Sequence, residues 1–208
     1  MDKSLEQFKS MSQLDKYYRK RNFIKTSEPR GKEKKDSRNS LFIFQKHDAR
    51  NLHYDFRIAV NGVLKSWAVP KGPSLDKSAK RLAIRTEDHP LEYADFEGVI
   101  PEGEYGGGTI LIWDKGPYRN LTKKEGNAVD MEQAIDNGHF LVWLEGKKIQ
   151  GGFAMTRISK KNDDEQWLMV KMEDEKADAR RKPLSTEPDS VVSGDSLEEI
   201  RKKAERKS

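Results

Sequence analysis

A short segment of the chain carries two histidines and an aspartate whose spacing could bind a metal ion. Apolar and polar residues alternate over Leu52–Ile58, so that His53, Asp55 and Arg57 share one face of a predicted strand. His47 ends the preceding predicted strand and reaches the same face if the two strands pair. Two imidazoles and one carboxylate leave several coordination positions open, which is typical of a catalytic metal site. The spacing predicts a centre for Mn²⁺, Fe²⁺ or Zn²⁺ without choosing among them.

These residues also allow a plainer interpretation. An ordinary half-exposed strand alternates in the same way, and histidines near a sheet edge can be hydrogen-bonded polar residues that bind nothing. Imidazole, carboxylate and guanidinium in a row are nevertheless an unusual choice for a solvent-facing strand, where Lys, Glu and Thr are common. From spacing alone, both interpretations remain open.

A second predicted strand adds groups that suit a phosphate ester. Alternation over Arg81–Glu87 places Arg81, Arg85 and Glu87 on one face, with His89 in step just beyond. Guanidinium groups neutralise non-bridging phosphate oxygens, and an imidazole can protonate a leaving oxygen. Next to a divalent cation, this set favours phosphoester chemistry. For Arg85, a surface salt bridge is the alternative.

The residues that could perform this chemistry lie within a series of short β-like segments. Asn61-Gly62 is a strong hairpin signal, because both positions tolerate the positive φ of a type I′ turn. A short helix is predicted over Asp130–Asn137, ended by Gly138. Mostly β structure of about eight strands predicts a single-domain antiparallel β-barrel, with a two-sheet sandwich as the alternative. The predicted strands are Leu41–His47, Leu52–Val60, Val63–Val69, Arg81–Glu87, Gly108–Trp113, Phe140–Glu145, Phe153–Ser159 and Gln166–Met172.

The segment before the barrel, residues 1–40, is predicted to form a short helix and an arm that contributes to the active site. Ser12 can cap the helix, with Asp15 three residues later. Pro29–Ser40 is charged and aperiodic, which indicates a linker or exposed loop. The helix face that would pack consists of Leu14, Tyr17, Tyr18 and Arg21.

The segment after the barrel is strongly charged. With residues 41–175 assigned to the barrel core, residues 176–208 form a C-terminal tail. Ser196, followed three residues later by Glu199, predicts a capped helix, so the tail is expected to be partly helical. Around the barrel, one or two short peripheral helices are predicted. Whether the tail packs against the barrel or is merely solvated stays open.

The amino-acid composition limits which kinds of site, partner and location are expected. Of the 208 residues, 34% are hydrophobic and 36% charged, so part of the length is expected to be tail or linker. The absence of cysteine excludes disulfides and thiolate metal sites. A net charge of +5 is compatible with a nucleic-acid partner but is weak evidence for one. No apolar run approaches the roughly 18 residues of a membrane span and no signal peptide opens the chain, so a cytoplasmic location is expected.

Two further features are assigned to packing and bending. The run Gly106–Gly108 lacks the Lys-Ser/Thr ending of a P-loop and precedes a strand, which predicts a bend at a barrel corner. The four tryptophans are predicted to pack in the core or on strand faces; they are Trp67, Trp113, Trp143 and Trp167.

Three long motifs resemble the 3′-phosphoesterase domain of bacterial ligase D and its stand-alone relatives. They are QKHDARNLHYDFRIAVNGVLKSWAVPKGPS, RLAIRTEDHPLEYADFEG and IPEGEYGGG, and the resemblance extends from about Leu14 to Met172. The arm fits as well, through Tyr17, Lys20, Arg21, Phe23, Thr26, Glu28 and Pro29. The tail segment VVSGDSLEEIRKK resembles the connector into the ligase domain, although these residues include no polymerase or ligase module.

The resemblance implies a β-barrel with its active site on one polar face. It implies a Mn²⁺-dependent enzyme, with Co²⁺ or Zn²⁺ as other possible metals, that heals DNA or RNA 3′ ends during non-homologous end joining. A phosphodiesterase step removes a terminal ribonucleoside and leaves a 3′-phosphate; a phosphomonoesterase step then leaves a 3′-hydroxyl. The expected partners are primer–template DNA or RNA-tailed DNA 3′ ends, with a separate ligase or polymerase acting in trans. No membrane partner is expected, and the protein is expected to be a monomer.

The resemblance also implies roles for individual residues. The metal ligands are His47, His53 and Asp55; the contacts to the scissile phosphate are Arg57, His89 and Tyr93; support comes from Lys71, Arg81 and Glu87 and, from the arm, Arg21 and Glu28. One departure is Asn22, where the family usually has Asp. That neutral residue puts in question the strength of the phosphodiesterase step or its preference for RNA.

Two other functions compete with this one. A catalytically weak module of the same fold could use the metal and arginines only to hold nucleic-acid ends. A metal-binding β-barrel could instead act on small molecules. The presence of every expected metal and phosphate residue argues against the first, and the basic balance argues weakly against the second.

Overall fold

The computed structural model describes residues 12–32, 40–162 and 164–206. Eight long strands close into an antiparallel barrel in the order β1-β2-β3-β4-β12-β11-β10-β7, and β7 pairs back with β1. These strands are β1 (Leu41–Asp48), β2 (Leu52–Val60), β3 (Val63–Val69), β4 (Lys80–Arg85), β7 (Gly108–Asn120), β10 (His139–Glu145), β11 (Gln150–Lys161) and β12 (Asp164–Lys171). The barrel prediction is confirmed and the sandwich is excluded.

Short elements complete the fold. The minor strands are β5 (His89–Pro90), β6 (Gly98–Ile100), β8 (Lys123–Lys124) and β9 (Asn127–Ala128). The helices are α1 (Asp15–Arg19), α2 (Met131–Asp136), α3 (Pro183–Thr186) and α4 (Leu197–Glu205), together with a 3₁₀ helix over Leu91–Asp95. Among the described residues, no helix is long and apolar enough to cross a membrane.

The sequence predicts β2 and β3 to the residue, because a tight turn joins them. Asn61 and Gly62 have φ values of 48° and 85°, as a type I′ turn requires. The largest boundary error concerns β7, which continues past the predicted end at Trp113 to Asn120 because it pairs with both β1 and β10.

Alternation along the strands separates a barrel interior from an outer layer. The interior contains the alternate side chains of β2, such as Phe56 and Ile58, together with the fully buried Trp67, Trp113 and Trp167. Trp143 is only half-buried and lies under the Arg119 guanidinium. A second apolar cluster covers the outside of β1, β2, β3 and β7; it includes Leu14, Tyr17, Ile43, Ala59, Leu91, Tyr93, Ile110 and Ile112.

The N-terminal helix begins later than its predicted cap. Leu14 occupies the N-cap position of α1, and the Ser12 hydroxyl accepts a hydrogen bond from the Leu14 amide instead of capping the helix. Ser12 therefore forms a local turn, and the capping prediction was wrong by two residues. Leu14 and Tyr17 are buried as the helical face predicts. Of the predicted linker, residues 33–39 lie outside the described residues.

The C-terminal tail packs against the barrel. The capping box of Ser196 and Glu199 is present at the start of α4, as predicted. Ile200 is buried in the main core cluster. Upstream of α4, the Val191 amide donates to the Ile112 carbonyl and the Trp113 indole donates to the Glu187 carbonyl. The open question of a solvated or a packed tail is thus resolved in favour of packing.

Candidate active site

Pairing of the first two barrel strands brings the predicted metal ligands together. In the antiparallel register of β1 and β2, His47 lies opposite His53 and Gln45 lies opposite Asp55. His47 Nδ1 is 3.6 Å from Asp55 Oδ2, and His53 Nε2 is 3.8 Å from Asp55 Oδ1. One potential ligand atom from each residue lies within 4.8 Å of the other two. The three side chains therefore converge on a single point on the outer face of the barrel.

The backbone fixes which nitrogen of each imidazole faces that point. His47 Nε2 lies 2.9 Å from the Gly106 carbonyl, and His53 Nδ1 lies 2.9 Å from the Asn51 carbonyl. Because a carbonyl only accepts, both of these nitrogens must carry the proton. The opposite nitrogens face Asp55 and are the ones that the neutral rings would offer to a metal ion. Histidines that bind metals are held by this type of hydrogen bond, so the residues present fit a divalent cation.

Arg57 is buried beside the triad and all three of its guanidinium nitrogens are paired. Nε donates to Gln45 Oε1 at 2.8 Å, Nη1 to the Ser66 hydroxyl at 2.8 Å, and Nη2 to Asp55 Oδ2 at 3.1 Å. Burial by itself would raise the pKa of Asp55, but the positive charge of Arg57 and the neighbouring histidines bring it well below its usual range. Asp55 is therefore an anion, as a metal ligand must be.

His89 is buried on the other side of Arg57 and is neutral. Its Nδ1 lies 2.8 Å from the Glu87 carbonyl, which only accepts, and 2.9 Å from Arg57 Nη1, which only donates. Its Nε2 lies 3.0 Å from Arg21 Nη2, which also only donates, so Nε2 is the acceptor and Nδ1 of the neutral ring carries the proton toward the Glu87 carbonyl. Burial lowers the pKa of His89 well below its ordinary value, and the charges of Arg57 and Arg21 lower it further. In this state the ring has no Nε2 proton to donate.

The N-terminal arm contributes a second buried group of charges. Arg21 donates from Nε to Glu28 Oε1 at 2.8 Å and from Nη1 to Glu87 Oε1 at 2.9 Å. Burial alone would raise the pKa of Glu87, but Arg21 and Lys20 hold it below its usual value. Arg21 and Glu28 thus lie in the site, next to Glu87, as the resemblance implies.

Tyr93 closes the floor of the site. Its hydroxyl donates to Glu28 Oε1 at 2.9 Å, and its ring centroid lies 4.7 Å from that of His89. Burial raises the pKa of Tyr93 well above its ordinary value, and the negative charge of Glu28 raises it further, so the phenol is neutral.

These side chains surround a cavity of about 260 Å³. It joins the triad, the Arg57–His89 pair and the arm into one site. The lining residues are Arg21, His47, Ala49, His53, Asp55, Arg57, Ala68, Thr86, Glu87, His89, Tyr93, Ile100, Tyr105 and Gly106.

The predicted common face of Arg81, Glu87 and His89 was wrong. Strand β4 ends at Arg85, and the residues in step with Arg81 face the interior, where Ala83 belongs to the core. Beyond Arg85 the chain leaves β4 and pairs instead with the start of β3 through β5, with His89 opposite Leu64, which carries Glu87 and His89 into the cavity. Arg81 does not line it, and its Nε is buried without a hydrogen-bond partner among the described residues.

Two other residues singled out from the sequence also lie outside the cavity. Lys71 is exposed, two residues beyond Val69, which pairs with Tyr54 next to His53. Asn22 is exposed, and its side-chain oxygen accepts from the Ile24 amide in a local turn. Because an aspartate could accept the same hydrogen bond, the structure gives Asn22 a turn-forming role.

Four polar residues that contact the charged groups of the site were given no role in it from the sequence. Gln45 binds Arg57 and donates to the Tyr93 and Phe96 carbonyls, while Ser66 binds Arg57. Gln45 lies two residues before His47 on β1 and so shares its face of the strand, and this alternation could have identified Gln45. Ser66, Lys20 and Tyr105 lie within the motifs quoted above, but strand alternation does not assign them to the site, because their positions there depend on distant segments.

The glycine run forms a corner, as predicted, and also supplies a carbonyl to the site. A side chain at Gly108 would come within 2.3 Å of the Asp48 carbonyl oxygen. This close approach brings the neighbouring Gly106 carbonyl to His47. The glycines therefore help to position a predicted metal ligand.

Comparison with known proteins identifies the family. The model of the family described as "DNA Ligase D 3′-phosphoesterase domain" matches residues 45–157, more than half of the chain. The "Multifunctional non-homologous end joining protein LigD" of Pseudomonas aeruginosa is 46% identical over 188 residues, which are 88% of this chain and 22% of the relative. The protein of the same name from Mycolicibacterium smegmatis is 42% identical over 165 residues, 78% of this chain and 21% of the relative.

A third relative, the "Multifunctional non-homologous end joining DNA repair protein LigD" of Mycobacterium tuberculosis, is 42% identical over 167 residues, 78% of this chain and 20% of the relative. The chain thus spans about a fifth of the length of these relatives. The resemblance read from the motifs is confirmed, and the chain belongs to the DNA Ligase D 3′-phosphoesterase domain family.

Proposed function

We propose that the chain is a Mn²⁺-dependent phosphoesterase that heals nucleic-acid 3′ ends in two steps. A phosphodiesterase step adds water across the bond between phosphorus and the 5′ oxygen of a terminal ribonucleoside, leaving a 3′-phosphate. A phosphomonoesterase step then adds water across the bond to the 3′ oxygen, leaving a 3′-hydroxyl and inorganic phosphate. The names of the relatives support a role in end joining during DNA repair, with a ligase or polymerase as partner.

The observation that carries the proposal is the orientation of the triad. His47 and His53 each anchor one ring nitrogen on a backbone carbonyl and turn the other toward Asp55. A divalent cation held there by His47, His53 and Asp55 would supply Lewis-acid stabilisation to phosphate oxygens. Beside this point, Arg57 and Arg21 supply fixed positive charge for the same oxygens.

Roles for the remaining residues follow from their charge. Neutral His89, whose Nδ1 proton is held by the Glu87 carbonyl, presents Nε2 as an acceptor, so it is suited to take a proton from the attacking water rather than to act first as an acid. Loss of a positioned proton-transfer group of this kind slows turnover by about 10² to 10⁴. His89→Ala should therefore slow both steps by about that factor while Mn²⁺ affinity changes little. A loss of Mn²⁺ affinity as large as that of His53→Ala would show instead that His89 is a ligand.

The test is a 5′-labelled primer–template whose primer ends in one ribonucleotide, incubated with Mn²⁺. We expect a shortened primer with a 3′-phosphate, followed by the 3′-hydroxyl product, and no product with chelator. His53→Ala should give neither product. His139→Ala is the matched control, because His139 is exposed and binds Thr156 away from the cavity. If the wild-type protein binds the primer without cleaving it, the chain is the end-binding module.

A further inference from the structure

We propose that Tyr105 forms a nucleobase subsite, on which the base at the 3′ end of the strand stacks. This inference rests on the proposed function and specifies how the substrate is held. Tyr105 belongs to the loop between β6 and β7, and its ring lines the cavity while remaining 47% exposed. It is the exposed aromatic side chain at the mouth of the cavity.

The hydrogen bonds around Tyr105 place its ring across that mouth. On one side, the adjacent Gly106 carbonyl binds His47. On the other, the Tyr105 hydroxyl accepts from Lys20 Nζ at 3.0 Å and lies 3.4 Å from Glu87 Oε2. The ring therefore extends from the triad to the arm and is held in position before any substrate arrives.

The size of the cavity leaves the base outside it. Sites that enclose drug-sized ligands measure about 300 to 1,000 Å³. At about 260 Å³, this cavity is smaller than such sites, so we place the phosphate and its sugar in the cavity. A base attached to that sugar must then lie at the mouth, where the exposed part of the Tyr105 ring is available.

Stacking on the Tyr105 ring does not depend on which base the nucleotide carries. Every nucleobase presents a π-face, so aromatic stacking is tolerant of sequence. The Lys20 ammonium lies 4.5 Å from the Tyr105 ring centroid, a cation–π contact that helps to hold the ring in place. The subsite would thus accept the terminal nucleoside without reading which base it carries.

A different explanation is that Tyr105 serves only as a latch between the arm and the loop. The two explanations depend on different parts of the side chain, because a latch requires the hydroxyl and a stacking platform requires the ring. Tyr105→Phe retains the ring and removes the hydroxyl, whereas Tyr105→Leu removes the ring and retains an apolar side chain.

The first experiment measures binding without hydrolysis. Primer–templates ending in a ribonucleotide or in an abasic ribose are titrated by fluorescence anisotropy in the presence of chelator. Stacking on one aromatic side chain changes affinity by about 5- to 150-fold. We expect the wild-type protein, Tyr105→Phe and Tyr105→Trp to prefer the base-carrying end by about this factor, and Tyr105→Leu to lose the preference.

The second experiment measures kcat/KM for the same two ends in the presence of Mn²⁺. The ratio of kcat/KM for the base-carrying end to that for the abasic end should fall by a similar factor in Tyr105→Leu, but not in Tyr105→Phe or Tyr105→Trp. The platform is refuted if Tyr105→Leu keeps the wild-type preference, or if Tyr105→Phe loses it as Tyr105→Leu does. Failure of the wild-type protein to hydrolyse either end would refute the proposed function, while the anisotropy preferences would still decide the role of Tyr105. If Tyr105→Leu does not fold, the role of Tyr105 is decided by whether Tyr105→Phe and Tyr105→Trp keep the preference for the base-carrying end over the abasic end.

Discussion

At the scale of single residues, Arg57 sets the charge of both halves of the site. Its guanidinium is buried, and its positive charge lowers the pKa of Asp55 on one side; on the other side, burial lowers the pKa of His89 and the charge of Arg57 lowers it further. Asp55 is thereby kept as an anion, while His89 is kept neutral. Gln45 and Ser66 hold the guanidinium in place, so the charge pattern does not depend on a bound substrate.

The first prediction concerns the metal. His47→Ala, His53→Ala and Asp55→Asn should each reduce Mn²⁺ affinity and abolish both steps, because each removes one of three converging ligands. Mn²⁺ binding can be measured by electron paramagnetic resonance, with His139→Ala as the control. The ligands lie on the outer face of the barrel, so circular dichroism should change little. Normal Mn²⁺ binding by all three variants would show that the ligand assignment is wrong.

The second prediction concerns pH. Burial, together with Arg57 and Arg21, lowers the pKa of His89 in the folded protein, whereas an unfolded histidine has a pKa of about 6.5. Below that pH, the unfolded chain binds a proton that the folded protein does not, so stability falls as the pH falls. The slope is at most about 1.4 kcal/mol per pH unit.

Urea denaturation at pH 7 and pH 5.5 measures this loss of stability. His89→Gln, which cannot titrate in this range, should lose less stability than the wild-type protein between the two pH values. Equal losses would contradict the assignment of a neutral, buried His89. The other strongly shifted group, Asp55, contributes at lower pH, because its unfolded pKa is about 3.8.

At the scale of elements, the arm is attached to the barrel through a buried ion pair. The side chains of Arg21 and Glu28 are 4% and 1% exposed. Glu28 also accepts hydrogen bonds from Thr26 and Tyr93, so one carboxylate joins the arm to the 3₁₀ helix. Removing the Glu28 carboxylate leaves the Arg21 guanidinium, the Thr26 hydroxyl and the Tyr93 phenol without this partner.

The third prediction follows from that arrangement. Glu28→Ala should lower the free energy of unfolding by about 3–5 kcal/mol, the usual cost of leaving half of a buried pair. The control is Glu145→Ala, because Glu145 pairs with Arg119 where both are well exposed, at 46% and 62%; it should cost about 0–1 kcal/mol. Chemical denaturation measures both. A similar small cost for the two variants would contradict the importance of the pair.

Strands β2 and β4 show how much of the site the sequence could predict. Over β2, strict alternation predicts the faces of His53, Asp55 and Arg57, because the pairings with β1 and β3 together cover the whole strand. Over β4, the same rule fails, since the strand ends at Arg85 and the chain then turns into the cavity. Local pattern shows where a strand runs, but it does not show where tertiary contacts end it. The position of Tyr105 depends on such contacts throughout.

At the scale of the whole molecule, the net charge of +5 arises from 40 basic and 35 acidic residues. Several basic groups near the cavity are already paired with carboxylates, as Lys20 is with Glu87 and Lys25 with Glu104. The field presented to a nucleic acid is therefore weak, and few phosphate contacts are expected.

The fourth prediction measures those contacts. Affinity for a primer–template should fall with salt by about 0.9 log units per log unit for each neutralised phosphate. We expect a shallow slope, which Lys71→Ala reduces further by about 0.9. The control is Lys123→Ala in the β8–β9 hairpin, which follows the end of β7 remote from His47. A flat response in the wild-type protein would argue against a nucleic-acid substrate.

Closure of the barrel has a consequence for amide hydrogen exchange. Strands β1 and β2, which carry the triad, are hydrogen-bonded to a neighbour on each side. The backbone hydrogen bonds described for residues 12–32 stay within that segment, which is attached through side chains such as Arg21. The arm can thus open while the ladders beneath it stay closed. Amides of β1 and β2 should exchange at the rate of global unfolding, and those of the arm faster. A bound strand end would then slow exchange in the arm while leaving β1 and β2 unchanged.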